Sequence, residues 1–553
     1  MGFEYPLTRA RESVPLVAIS PRAIWTAVIA FICLAITAYG FVAVWLVQVT
    51  VRTFPDPTTV YLLNSLSTFR GAVYHYIDHP GTPVEVLGTA LLALTLPFVG
   101  SAPEGVFAYH IAHPEVFLRM GQLVILGASL IASVVMARAA FSAGHSSRSG
   151  AALAAALPGL FFVAQPDGFL RTLAVWSHDA FCYAGATLLT LAIVLSVSRG
   201  RAPEWWKVIA LGLASGALTA IQLYFAPLVL GAAVADATAA RLDPRTRTRS
   251  VRRVEVVFGM AAVGFVLATA PIWSRYQEFV LWIWELVTHQ GIYGRGEAGF
   301  STPERLTTNT LGLVVQAPLL FGAVGLVSAL LVWRLVRDAR GTSHDPALWA
   351  AGLGLIAQML LIIVLVAKHP ATKYLLPLAA TLPPLALVAL RGLDVRSPAL
   401  QRLVATAGVG IVVLFAAAAW IAGRDLVDVA ERLRQTDTAS EQVFERIAHE
   451  RGMDRSALRV VWTYGTASPC FALWLADDYA DRLFEGDISP ICPHDGELNV
   501  WLGQIRPAGA WDVAVIPAQL VDAYAPAVPR GTIYRSGIES LGYGELVFVS
   551  RSP

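Results

Sequence analysis

Charge is what this sequence has least of. Only 14% of its 553 residues are Asp, Glu, Lys or Arg, while 56% are hydrophobic, a balance that argues against an ordinary soluble protein. The net charge of +2 leaves no global positive excess to favour nucleic acid and no acidic excess of a disordered or cation-buffering chain. Four cysteines are too few for a disulfide-built scaffold, and none stands in a CxxC or zinc-type Cys/His spacing. Internal repeats, low-complexity tracts and nucleotide-binding fingerprints are absent as well.

What is present is apolar sequence in long runs. A hydrocarbon core of about 30 Å takes roughly 20 helical residues, and about eleven runs come close to that: 23–49, 116–137, 150–164, 180–198, 208–221, 224–240, 254–272, 311–333, 348–367, 374–390 and 403–422. The first follows a basic tail (1–22), but it is too long for the apolar core of a signal peptide. Gln48-Val49-Thr50 also lacks the small residues of a cleavage site, so the run reads as a retained membrane helix. A twelfth run, 84–99, is shorter, carries Glu85 and is interrupted by Gly88 and Pro97. It is expected as a re-entrant or interface-lying helix.

With that run not crossing, the basic residues sort by side. Arg9, Arg11, Arg22, Arg138, Arg148, Arg199, Arg201, Lys207, the arginines of 241–253, and Arg334, Arg337, Arg340, Arg391, Arg396 and Arg402 share one face. Loop Lys/Arg bias makes that face cytoplasmic, and the 241–253 cluster suits anionic membrane lipid. The expected fold class is therefore a mainly α, polytopic membrane protein with about eleven spans. Its N-terminus is cytoplasmic in a bacterial-type inner membrane, and a small α/β domain at 424–553 is periplasmic. Outer-face loops fall at 51–115, 165–179 and 273–309. In the tail, 425–451 reads as an amphipathic helix, and 458–463, 511–516 and 545–549 as strands. Cys470 and Cys492 would lie on the oxidising side, where they stand either bonded or free. Cys33 and Cys182 fall in membrane helices as packing residues.

Polar groups at the outer ends of the apolar runs are costly to desolvate and so tend to be paired, wet or functional. Asp56 lies between Pro55 and Pro57 just past the first run. It is either the N-cap of the next helix or a carboxylate poised to take a proton from a hydroxyl. Asp78 and His79 sit in a Pro/Gly-rich stretch before residue 84, as a simple turn or as ligands for phosphate, sugar or metal. Arg171, His178 and Asp179 lead into the run at 180, with Asp179 a cap or part of a site. Lys368, His369, Lys373 and Tyr374 form a short outer turn, read as snorkelling helix ends or as a phosphate-binding patch. His289, Tyr293, Arg295 and Glu297 belong to a glycine-rich outer loop, either a lid or plain connection.

The order of these parts resembles the GT-C glycosyltransferases, in particular the protein O-mannosyltransferase and lipid A aminoarabinose transferase branch. Asp56 with Val60-Tyr61 is similar to the acidic residue after the first membrane helix of that family. Phe69-Arg70-Gly71 is similar to the end of the following amphipathic helix. Asp78-His79-Pro80 is similar to a His/Lys-Pro-Pro turn, with Gly81 in place of the second proline. Arg171 with Asp179, and Lys373-Tyr374-Leu375-Leu376-Pro377, complete the set, which spans about 23–422. Pro57 stands where the family has a second acid, so the acidic dyad for a divalent metal is incomplete, and no other cofactor is implied.

The resemblance implies sugar transfer from a polyprenyl-phosphate donor to a hydroxyl or amine of a glycan, lipid or protein acceptor on the outer face. Asp56 would be the base, and Lys368, His369 and Lys373, with Arg171, would hold the departing phosphate. Asp78, His79 and Asp179 would orient the sugar or support that network. Two rival readings remain: a non-catalytic, flippase-like carrier of lipid-linked glycan, and an assembly scaffold.

Overall fold

The structure, a computed structural model, describes residues 21–72, 77, 81–99, 103–143, 148–288, 301–341, 344–391, 398–480, 482–492, 495–499, 504–506, 511–525, 528, 531–540 and 544–551. The chain is a polytopic helical membrane protein ending in one small α/β domain. Its helices are α1 (Pro21–Trp45), α2 (Val47–Thr53), α3 (Pro55–Phe69), α4 (Thr82–Val99), α5 (Pro103–Ala112), α6 (Pro114–Ala143), α7 (Arg148–Ala164), α8 (Gly168–Leu173) and α9 (Thr187–Val197). Then come α10 (Trp205–Ile221), α11 (Ala226–Leu242), α12 (Ser250–Ala268), α13 (Tyr276–Thr288), α14 (Pro303–Gln316), α15 (Pro318–Ala339), α16 (Pro346–Lys368), α17 (Leu376–Leu390) and α18 (Pro398–Arg451).

Nine helices among the described residues are long and apolar enough to cross a membrane, or ten if α12 and α13 are counted as one broken span. The expectation of about eleven is met to within one or two. The runs at 150–164 and 208–221 become α7 and α10, of 17 residues each, at the short end of the lengths that cross a bilayer. The run at 254–272 ends where α12 bends into α13. α4 is one uninterrupted helix of 18 residues, long and apolar enough for a span by length and composition. Gly88 does not break it, because that position is a packing notch: a Cβ there would stand 2.2 Å from Ser65 Oγ of α3. Pro97 falls in its last turn, where the helix is already ending.

Burial separates central helices from peripheral ones. α17 is apolar all round and buried from Leu376 to Ala389, as expected of a helix enclosed by others. α15 and α18 leave Leu319, Leu326, Leu414 and Trp420 exposed, as a lipid-facing surface does. Local signals set the ends: Asp345 accepts the Ala347 and Leu348 N–H groups at 3.0 and 3.2 Å, with Pro346 opening α16.

α18 is a single helix of 54 residues, about 80 Å long. It carries the last apolar run and the charged 425–451 segment without a break, so the expected boundary near 424 lies inside a helix. Its end packs Val443, Phe444 and Ile447 against one face of a six-stranded sheet, beside Val513, Val515, Leu546 and Phe548. The other face presents Ala514, Ile516, Val547 and Val549, the period-2 alternation of strands. The strands are β1 (Val460–Thr463), β2 (Asp495–Asn499), β3 (Gln504–Arg506), β4 (Val513–Pro517), β5 (Thr532–Ser540) and β6 (Gly544–Ser550), in spatial order β3-β2-β1-β4-β6-β5. β1 runs parallel to β2 and β4, pairing Val460 with Asp495 and Val513; the remaining pairs are antiparallel. Between β1 and β2 lie α19 (Pro469–Tyr479) and α20 (Glu485–Ile488). Cys470 and Cys492 form a disulfide across that crossover, so the bonded alternative holds. Cys33 and Cys182 are free.

Candidate functional site

Prolines on both sides keep Asp56 out of the helix it introduces. Its backbone is extended (φ −101°, ψ 114°), and the first turn of α3 closes without it, through Thr58 N–H to the Phe54 carbonyl at 3.1 Å. The N-cap position of α3 falls to Phe54, not to Asp56. Asp56 is open to water but enclosed by protein on most sides. That enclosure raises its pKa above the usual aspartate value, and the charge of Lys373 works in the opposite direction. Asp56 and Lys373 thus lie within electrostatic reach of one another, although they come from segments at opposite ends of the membrane domain.

Further along α3, the Tyr61 hydroxyl is hydrogen-bonded to His178 Nδ1 at 3.0 Å. Next to it, His178 Nε2 lies 3.6 Å from Asp179 Oδ1, and Arg171 Nη1 of α8 lies 3.5 Å from Asp179 Oδ2. Gln222, just past α10, donates Nε2 to Asp179 Oδ1 at 3.3 Å. The cap of the short turn at His178–Phe181 is Ser177, whose Oγ accepts the Asp179 N–H at 3.1 Å. Asp179 is therefore not the cap, and its carboxylate is left to these side chains. Lys373 and Arg171 both act electrostatically on His178, so Lys373 lies within electrostatic reach of this chain as well as of Asp56.

Gly81 shows why that turn has a glycine. Its φ is +52°, and a Cβ would fall 2.4 Å from the Tyr61 hydroxyl, so a side chain is excluded by both backbone and contact. Its N–H reaches the Ile221 carbonyl at 3.3 Å, beside Gln222.

On the far wall, Lys373 Nζ stands 4.9 Å from the Tyr374 ring centroid. That ring stacks on Tyr224 at 4.4 Å, and Gln165 Nε2 holds the Thr372 carbonyl at 3.2 Å. Lys368 and His369 turn elsewhere. Lys368 Nζ donates to the Leu286 carbonyl at 3.0 Å and also to that of Val287, and His369 Nε2 lies 3.1 Å from the Leu286 carbonyl. Burial lowers the His369 pKa, partly offset by that carbonyl. These two residues tie the end of α13 to the turn that carries Lys373.

The structure thus brings together Asp56, Arg171, His178, Asp179, Lys373 and Tyr374, and sets Lys368 and His369 to one side. Asp78, His79, His289, Tyr293, Arg295 and Glu297 lie outside the described residues. Tyr61, Gln222 and Tyr224 enter as neighbours that sequence reading did not single out for a site. The signal for Gln222 was a polar amide at the end of an apolar run, where burial is expensive. Among the described residues no three His, Cys, Asp or Glu side chains gather as metal ligands.

A cavity of about 930 Å³ lies beside this group, lined by Thr53, Phe54, Asp167, Leu170, Ile421 and Phe471 among others. Asp56, Arg171, Asp179 and Lys373 do not line it. It is mostly apolar, and it lies between α1, α8, α18 and the sheet domain.

No family model and no curated protein matches the chain. Among solved structures it is similar to ArnT from Cupriavidus metallidurans. The crystal structure of ArnT bound to undecaprenyl phosphate aligns with 95% of this chain and 98% of that one, at 16% identity and a TM-score of 0.47. The apo structure aligns with 96% and 98%, at the same identity and score.

Proposed function

We propose that the chain is a membrane glycosyltransferase, moving a sugar from a polyprenyl-phosphate donor to a hydroxyl or amine of an acceptor at the outer, periplasmic face of an inner membrane. The observation that carries this reading is that Asp56, open to water, stands within electrostatic reach of Lys373, beside the chain of Arg171, Asp179, His178 and Tyr61.

Asp56 accepts the proton of the attacking group as its oxygen or nitrogen bonds the anomeric carbon. The bond from that carbon to the phosphate oxygen breaks, and the electron pair leaves with the lipid phosphate. Lys373 stabilises the charge growing there. Arg171 is already shared with Asp179, so it orients more than it neutralises. Asp56 has an extended backbone and is not the N-cap of α3, which leaves it available as a base. The neighbouring apolar cavity begins at Thr53 and Phe54, and it gives an apolar tail a place close to the reacting head.

The gathered residues favour an enzyme over a carrier for a geometric reason. They stand at helix ends: the start of α3, the turn before α9, the end of α10 and the turn before α17. A carrier that alternates between sides holds its ligand near the midplane.

The test is Asp56→Asn in the reconstituted full chain. Transfer from a polyprenyl-phosphate sugar should fall about 10²- to 10⁴-fold, with polyprenyl-phosphate binding and thermal unfolding unchanged. Envelope glycans from cells lacking the protein should lose a sugar by mass spectrometry. Intact glycans, or an Asn variant as active as the parent, would return the carrier reading.

A further inference from the structure

α12 and α13 meet at a bend of 84°. α12 has the outward surface of a span, with Phe258, Val263, Val266 and Leu267 exposed. α13 therefore runs across the direction of the spans. The limb beyond the bend runs from Ala270 to Thr288, a 3-10 stretch over Ala270–Arg275 followed by the 13 residues of α13. At 84° to α12 it does not carry that helix onward through the hydrocarbon core.

Its circumference divides into three. One side is anchored: Phe279 and Trp282 are buried in a cluster with Ile272, and Phe265 and Leu223 pack on it. A second arc is apolar and open, with Val280 at 59%, Leu281 at 56% and Trp284 at 55% exposure. The third carries Glu278 and Glu285, and Arg275 Nε holds Glu278 at 3.0 Å. Trp273 is exposed at the bend itself. An apolar arc with Trp beside a charged arc, on a helix turned across the spans, suits the boundary between headgroups and acyl chains.

We propose that α13 lies flat in the headgroup layer of the leaflet on the side of Asp56, with Val280, Leu281 and Trp284 directed into the acyl chains. The occupant of this face is the bilayer itself, because the arc continues the lipid-facing surface of α12 across the bend. A second protein docking on α13 would have to displace that lipid.

The placement matters for the turn that follows α16. Lys368 and His369 hold the Leu286 and Val287 carbonyls at the C-terminal end of α13, where cations suit the helix dipole. Lys373 and Tyr374 follow in the same turn. A helix floating at headgroup depth thereby sets the depth of the Lys373 ammonium, at the level a lipid phosphate occupies. The membrane placement of α13 stands without any assignment of catalysis, and only this last consequence rests on the transferase reading.

Spin labels test it in the full chain. Val280→Cys, Leu281→Cys and Glu278→Cys would each be placed in a Cys33→Ser, Cys182→Ser background that keeps the Cys470 to Cys492 disulfide. The protein would be held in nanodiscs of phosphatidylethanolamine and phosphatidylglycerol. Labels at 280 and 281 should collide several-fold more with oxygen than with an aqueous nickel chelate, and the label at 278 should show the reverse. Equal aqueous access at all three positions would overturn the proposal. A measurement without substitution backs it: a photoreactive phospholipid should label peptide 276–288 of the parent protein, and labelling of α15 without that peptide would overturn the proposal as well.

Discussion

Arg52 grips Asp437 with both ends of its guanidinium, Nη1 at 2.7 Å from Oδ2 and Nη2 at 2.5 Å from Oδ1, while its Nε donates to the Ala467 carbonyl at 2.6 Å. One side chain at the end of α2 thus ties together α18 and the sheet domain. At the other end of α3, Arg70 pairs with Asp487 at 3.2 Å and lies 4.2 and 5.3 Å from the rings of Phe107 and Phe484. The helix that carries Asp56 and Tyr61 is therefore clasped at both ends, and α19 packs along it.

Loss of the first clasp should loosen the helix without unfolding the membrane domain. Asp437 is largely exposed, so most of the value lies in the charged bond to the Ala467 carbonyl, and Arg52→Ala is expected to cost about 1–3 kcal/mol of docking. Hydrogen exchange across 51–69 should rise in that variant, and Arg52→Asp combined with Asp437→Arg should recover part of the protection. Exchange identical to the parent in the alanine variant would show that the clasp holds nothing.

Lys373 should shift the pH profile in a defined direction. Asp56 works as a base only when ionised, so turnover falls as pH drops through its pKa, which enclosure already raises and Lys373 moderates. Lys373→Met removes the moderating charge, the Asp56 pKa rises further, and the acid limb of kcat/KM moves to higher pH. Lys373→Arg should leave that limb near its place. The methionine variant should also lose roughly 10²- to 10³-fold in kcat with the phosphate's partner. A stationary acid limb would separate the two residues.

The opposite ends of the helices hold a different kind of contact. Arg253 and Asp236 are both nearly wholly buried, joined through Nε to Oδ2 and Nη2 to Oδ1 at 2.8 Å each. Arg253 also reaches the Pro203 carbonyl at 2.5 Å and lies 4.7 Å from the Trp205 ring. Arg253→Ala strands a buried carboxylate and should destabilise the protein by roughly 3–5 kcal/mol, whereas replacing both partners by Met and Leu should cost far less. Unfolding in detergent distinguishes the two outcomes. Equal losses in both variants would mean that the pair is worth more than its desolvation.

Legibility varied with how local the signal was. β1, β4 and β6 were readable as apolar runs between turns. β2, β3 and β5 were not, because Asp495–Asn499, Gln504–Arg506 and Thr532–Ser540 are short or polar and are strands only by pairing with neighbours. Gly88 and Pro97 looked like interruptions of α4, because a close contact with Ser65 leaves no trace in the residues around it. Lys368 and His369 looked like phosphate ligands by proximity to Lys373, yet the α13 carbonyls claim them.

From its residues alone the chain was bound to be a polytopic helical membrane protein with a mixed α/β tail. Run length against hydrocarbon thickness, and alternation against the strand period, are properties of short segments. Which polar groups meet was decided only by the tertiary structure. Arg52 and Ala467 are 415 positions apart, Tyr61 and His178 are 117 apart, and no local preference selects such partners. They are chosen by the packing of helices around α17, which buries enough apolar surface to fix where each helix end, and the ionisable group upon it, comes to rest.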